Sequence, residues 1–221
     1  MRLLGFEFQL AAIATTLILT PIPVCDGEEQ QPAAPTFRRY DDGPLTAADF
    51  RAPIPKRRVV NNVFAVAYTR AEIRLDYRYS YRIRNGTVTA KVDRIEIFAI
   101  VHRNKSWNAL PNNKKLMDHE QGHFDIAHAA ALKARLELAQ QARAGKPLQA
   151  TAARPEDAVR AVKKKVQSFL SKYIDAVRNG HRDYDRLTRH GEIDEAQERQ
   201  RAQQKEAIRS LTAKLKQAGA H

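Results

Sequence analysis

Ile73-Arg74-Leu75-Asp76-Tyr77-Arg78-Tyr79-Ser80-Tyr81-Arg82-Ile83-Arg84-Asn85-Gly86-Thr87-Val88-Thr89-Ala90-Lys91-Val92 decides the fold. Apolar and polar residues alternate from Ile73 to Arg84, the period of a half-buried strand. Asn85-Gly86 then supplies a two-residue turn, because both residues tolerate positive φ. The return strand places Val88 opposite Ile83, Ala90 opposite Tyr81 and Val92 opposite Tyr79, apolar against apolar. After Val92 the apolar phase slips by one, to Ile95, Ile97, Ala99 and Val101. One extra residue at Asp93 or Arg94, a β-bulge, restores the pairing of Ile95 with Tyr77 and Ile97 with Leu75. Tyr77, Tyr79 and Tyr81 share the apolar face and read as core; the arginines form a basic outer face.

Upstream, a short strand starts at Val59, and residues 26–58, with Pro32, Pro35, Pro44, Pro53 and Pro55, read as an extended, partly disordered linker. Residues 1–25 hold an apolar stretch, Leu10 to Ile22, too short for a confident membrane span and suited to a signal peptide or an N-terminal anchor. Downstream, Trp107 packs between the hairpin and a long helix over 113–144. Asn112 and Asn113 are its candidate N-caps and Gly145 its stop. Met117, Phe124, Ala131 and Leu138 form its buried stripe. A second helix, 155–178, ends at Asn179-Gly180, and a third covers 192–217. The fold class is α+β, a small antiparallel sheet (β part 59–104) packed on the long helix, then two further helices, all within one domain over 59–218.

The long helix carries His119-Glu120-Gln121-Gly122-His123. Residues four apart stand above one another on a helix, so both imidazoles reach one metal ion with Glu120 beside them. That is the outline of a zinc hydrolase, with His119 and His123 as ligands and Glu120 as general base. The plain alternative is a pair of partly exposed helix histidines with no metal. Gly122 costs about 1 kcal/mol relative to Ala inside a helix, so something approaches the backbone closely there.

A catalytic zinc usually takes three protein ligands and keeps one position for water. His128 does not supply the third, because Ile126 and Ala129 stand where the extended metzincin pattern needs Gly and His. The polar segment from His181 to Gly191, read as a loop between helices, is the better source. His190 leads, with His181, Asp185 and Glu192 as alternatives.

The chain has 221 residues, a net charge of +13 and a single cysteine, Cys25. No internal disulfide and no cysteine-bound structural zinc is therefore possible. The charge favours anionic partners, an envelope polymer or a membrane surface, or else simply coats solvated helix faces. Nucleic acid is the weakest candidate, since charge alone supports it.

Trp107, the segment His119-Glu120-Gln121-Gly122-His123-Phe124-Asp125, and Tyr184-Asp185-Arg186-Leu187-Thr188-Arg189-His190-Gly191 together resemble the bacterial predicted secreted zinc-dependent proteases, over roughly residues 60–205. The resemblance implies a minimal zincin-like fold, zinc at His119 and His123, a catalytic Glu120, and a raised standing for His190 as third ligand. The expected activity is that of an exported, periplasmic or secreted metallopeptidase acting on protein, peptide or peptidoglycan. Glu120 activates the zinc-bound water, and Tyr184 or His181 hydrogen-bonds the oxyanion. The substrate is expected to lie as an added strand along a sheet edge near Ile97 to Val101. The rival is a non-catalytic, basic envelope-binding module with structural zinc or none.

Overall fold

The computed structural model describes residues 35–60 and 63–219. The expected signal peptide or anchor at 1–25, and the start of the expected linker, lie outside them. The strands are β1 (Phe37–Arg39), β2 (Val59–Val60), β3 (Val63–Phe64), β4 (Ala67–Tyr68), β5 (Ala71–Arg84), β6 (Thr87–His102), β7 (Trp107–Asn108) and β8 (Gln149–Ala152). The helices are α1 (Lys114–Arg143), α2 (Pro155–Thr188) and α3 (Asp194–Gln217). Small antiparallel sheets pack against the three helices, an α+β architecture. Among the described residues no helix is long and apolar enough to cross a membrane.

The β5–β6 hairpin has the expected register. Ile83 faces Val88, Tyr81 faces Ala90 and Tyr79 faces Val92; then the pairing steps past Asp93, and Tyr77 faces Ile95 and Leu75 faces Ile97. That step is the bulge, and it keeps the apolar residues of both strands on one face. Ile73, Ile97, Ala99 and Val101 pack there against Phe124, Ala127 and Ala131 of α1 and Phe169, Tyr173 and Val177 of α2. At the turn end Val88 and Ala90 lie under Ala158 and Val162 of α2. Trp107 is buried in β7, as expected.

Four expectations need correction. The linker becomes part of the domain from residue 37. β1 pairs with Ile100–His102 of β6, and the fully buried carboxylate of Asp49 is ion-paired with Arg38 at 3.3 Å and Arg103 at 2.8 Å. A buried carboxylate needs such partners, and two basic residues far apart in sequence supply them. Because β1 covers β6 at Ile100 and Val101 while β5 covers its other side, the edge expected near Ile97 to Val101 is already occupied at those last two residues. Tyr79 and Tyr81 are exposed, because at the turn end α2 and β8 cover β6 and leave β5 at the margin.

The fourth correction concerns α2, which runs through Asn179-Gly180 to Thr188. Gly180 marks a helix crossing instead of a helix end: a β-carbon there would lie 2.8 Å from Ile126 Cγ2 of α1. Helical continuation puts His181, Tyr184, Asp185 and Thr188 on one face at spacings of three and four residues. The helix ends only at Arg189, His190 and Gly191, three successive residues with positive φ of 48°, 55° and 83°.

Candidate metal centre

Each residue of the motif in α1 has a separate task, set by the helix face on which it falls. Asn113 caps the helix by accepting a hydrogen bond from the Leu116 amide at 3.0 Å. His119 and His123 point to α2 across the crossing, and both are buried. Gln121 points the other way: it accepts a hydrogen bond from the Leu45 amide at 2.8 Å and donates one to Asp125 at 2.7 Å. Gly122 lets the Tyr184 ring lie against the helix backbone. Phe124 fills the core. Asp125 accepts from the Tyr40 hydroxyl at 2.9 Å and from Arg201 of α3 at 2.5 Å.

Across from the motif, Asp185 Oδ1 lies 3.2 Å from His119 Nε2 and 3.0 Å from His123 Nε2. These three side chains form a cluster whose ligand atoms all fall within 4.8 Å of one another. Donors arranged tetrahedrally at zinc-like bond lengths stand about 3.3 Å apart. The two His to Asp separations match that spacing, so the residues fit a metal ion. His123 turns its other nitrogen to His181, Nδ1 to Nδ1 at 3.0 Å. Burial, helped by the charge of His123, lowers the pKa of His181 to about 3. Its neutral Nδ1 therefore accepts from His123 Nδ1–H, and its Nε2–H donates to the Ala71 carbonyl at 3.4 Å. A ligand imidazole oriented by its second nitrogen is the usual supporting arrangement at metal sites. His119 is held differently, by stacking on Tyr184 with ring centroids 4.7 Å apart.

The electrostatics follow. Burial pushes Asp185 up, but hydrogen bonds and charge from His119 and His123 outweigh it and hold the carboxyl well below its ordinary range. Burial pushes His123 down, and the Asp185 carboxylate, with Glu120, more than offsets it, so its pKa is raised. Glu120 is buried, and its Oε2 has no hydrogen-bond partner among the described residues. It lines a groove of about 540 Å³ together with the three cluster residues, His181 and His190.

His119 and His123 thus meet as expected, with Glu120 beside them. Asp185, one of the sequence alternatives, is the third member of the cluster. His190 stands at the rim, exposed, with Nδ1 3.5 Å from Asp185 Oδ1. Its left-handed backbone, rare for a residue with a side chain, is the kind of strain that gathers at functional sites. Tyr184 does not line the groove; it is buried beneath His119, which removes it as an oxyanion donor. His181 acts behind His123. Glu192 lies on the groove wall, outside the cluster. The reading of residues 181–191 as a loop ranked Asp185 behind His190, although the spacing of His181, Tyr184, Asp185 and Thr188 was itself a helical signal.

Residues 37–191, more than half of the chain, match the family described as bacterial protein of unknown function, DUF922. The chain belongs to that family. The matched DUF922 region contains the motif helix, Asp185 and His190, and it begins at the first residue of β1. Comparison with curated proteins gave no match, and comparison with solved structures gave none. Family membership therefore brings no activity with it, and function has to be argued from the site.

Proposed function

We propose that this DUF922 chain is an exported zinc-dependent hydrolase that cleaves amide bonds in protein, peptide or peptidoglycan. The observation that carries the reading is the meeting of His119, His123 and Asp185 beside a buried Glu120, whose Oε2 has no partner among the described residues, in an open groove. Two imidazoles and a carboxylate make a donor set suited to zinc.

Bound by these three residues, zinc supplies a Lewis acid that polarises a scissile carbonyl and lowers the pKa of water towards about 7. Glu120 takes the proton of the attacking water on its free Oε2 and passes it to the leaving amine nitrogen. His190, exposed in the groove, hydrogen-bonds the developing oxyanion, the task that the sequence reading gave to Tyr184 or His181. His181 holds His123 in the tautomer that presents Nε2 to the groove. Export, to the periplasm or the medium, rests on the apolar stretch Leu10 to Ile22, with an N-terminally anchored form as the lesser alternative.

One observation favours a second reading. His190 Nδ1 stands 3.5 Å from the shared Asp185 oxygen, so a shift of this exposed side chain would bring it in as a fourth ligand. Such a closed site would be structural, and the protein a basic envelope-binding module. The deciding experiment is the zinc content and peptidase activity of wild type beside Glu120→Gln. Zinc in both with hydrolysis only in wild type supports catalysis. Turnover by a zinc-loaded Glu120→Gln, or a wild type that takes up no zinc at neutral pH, sinks the hydrolase.

A further inference from the structure

Within the described residues, β6 is covered on one side along its length by β5 and on the other by β1 at Ile100–His102 and β8 at Val88–Lys91. Among the described residues no strand pairs with the other side of β5, so from Tyr77 to Arg84 its outer row of backbone N–H and C=O groups has no partner strand. An open edge of this length is a template for another strand unless the chain blunts it.

The side chains along this edge fall into two rows. On the outer face are Arg78, Arg82 and Arg84, with Arg94 directly across from Arg78 and Lys91 across from Ser80. None of these five cations is in an ion pair among the described residues, although lone arginines elsewhere on the surface find helix partners. Like charges set directly opposite each other on a sheet are unfavourable. Glu96, two residues from Arg94 on the same face, feels the charge of Arg94 but is ion-paired with Arg39, and the adjacent Asp93 is taken up by the Ser80 hydroxyl at 3.0 Å. On the opposite face Tyr79, Tyr81 and Ile83 stand in line with relative exposures of 38%, 54% and 58%. Lys163 lies over the Tyr79 ring at 5.6 Å and leaves Tyr81 and Ile83 uncovered.

We propose that the β5 edge from Tyr77 to Arg84 docks an extended peptide segment in which acidic and apolar side chains alternate. Such a strand hydrogen-bonds the open edge, sets its acidic residues beside the arginine row, and lays its apolar residues against Tyr79, Tyr81 and Ile83. A second copy of this chain fits badly, because antiparallel pairing of β5 with β5 places one arginine row against the other. A lipid surface offers phosphates to the arginines but no regular partners for the edge backbone. The site stands whether or not the groove hydrolyses anything.

The test is fluorescence anisotropy of the full chain, stripped of metal with chelator, against a labelled peptide of alternating Glu and Val as long as residues 77–84. Saturable binding is expected. Two changes to the peptide, N-methylation at alternate residues or regrouping the same residues into blocks, should each weaken binding by about tenfold, the factor that 1.4 kcal/mol represents. Arg78→Glu with Arg82→Glu should weaken it at least as much. The proposal is overturned by no saturable binding, by equal binding of an alternating Lys and Val peptide, or by equal binding of the N-methylated or block peptide. The peptide comparisons use wild-type protein, so they decide the matter even where an arginine variant misfolds.

Discussion

Tyr184 lies so close to Gly122 that a β-carbon added at Gly122 would fall 2.5 Å from Tyr184 Cζ and 2.7 Å from Cε1. The same Tyr184 ring stacks on His119, and its neighbour in sequence is Asp185. One small residue in α1 thereby sets the distance between the two halves of the candidate metal centre. Helix propensity alone would have Gly122→Ala gain about 1 kcal/mol. Overpacking should outweigh it, with a net loss of about 1–3 kcal/mol and a weaker hold on metal as Asp185 is pushed away. Chemical denaturation and a zinc-competition titration check this; a stabilised variant with unchanged zinc affinity would show that the contact is soft.

Metal content separates Asp185 from His190. Asp185→Asn should lose most of its bound zinc, because it removes the charged member of a three-residue set, while His190→Ala should keep it and lose turnover. Elemental analysis of the two purified variants beside wild type reads the difference. The reverse pattern would return His190 to the ligand set and favour the structural-zinc reading.

Chelation should lower thermal stability, since a ligand at a hundred times its Kd adds about 2.7 kcal/mol to the folded state. The shift in melting temperature should vanish in His119→Ala. Differential scanning calorimetry with and without added zinc is the measurement, and equal shifts in both proteins would place the metal elsewhere.

The motif helix is also held from behind. Arg201 of α3 is buried and bonds Asp125 at 2.5 Å and Asp118 at 3.1 Å. Arg201→Met leaves the buried Asp125 carboxylate short of its partner, and the expected cost is about 3–5 kcal/mol. A urea denaturation series on the variant measures it. Restoration of most of that stability by adding Asp125→Asn would confirm that the unpaired charge is the cause.

His128 gives the pH dependence. Its ring stacks on Tyr40 with centroids 3.7 Å apart, and burial lowers its pKa from 6.5 to about 4, with Asp41 and Asp125 offsetting part of the effect. The unfolded chain therefore binds this proton first. The stability held above pH 6.5 is lost as pH falls towards 4, at no more than about 1.4 kcal/mol per pH unit. Denaturation of chelated protein at several pH values between these limits should show a shallower decline in His128→Phe than in wild type. Identical slopes would mean that His128 is hydrated and titrates normally.

The sequence by itself determined the elements whose signals are local. Alternation and Asn85-Gly86 set the hairpin register; the slip after Val92 located the bulge; and four-residue spacing placed His119, His123 and Glu120 together. Those features depend on the dihedral angles and periodicity of neighbouring residues, which adjacent side chains express directly. The tertiary structure decided the rest. Gly180 read as a helix end, yet packing against Ile126 makes it a crossing point, and only the continued helix turns Asp185 towards the two histidines. Arg38 and Arg103 draw Asp49 and the supposed linker into the domain, and the course of α2 over β6 leaves Tyr81 at the margin. Each of these outcomes was settled by the burial of groups distant in the chain, whose proximity no local pattern encodes.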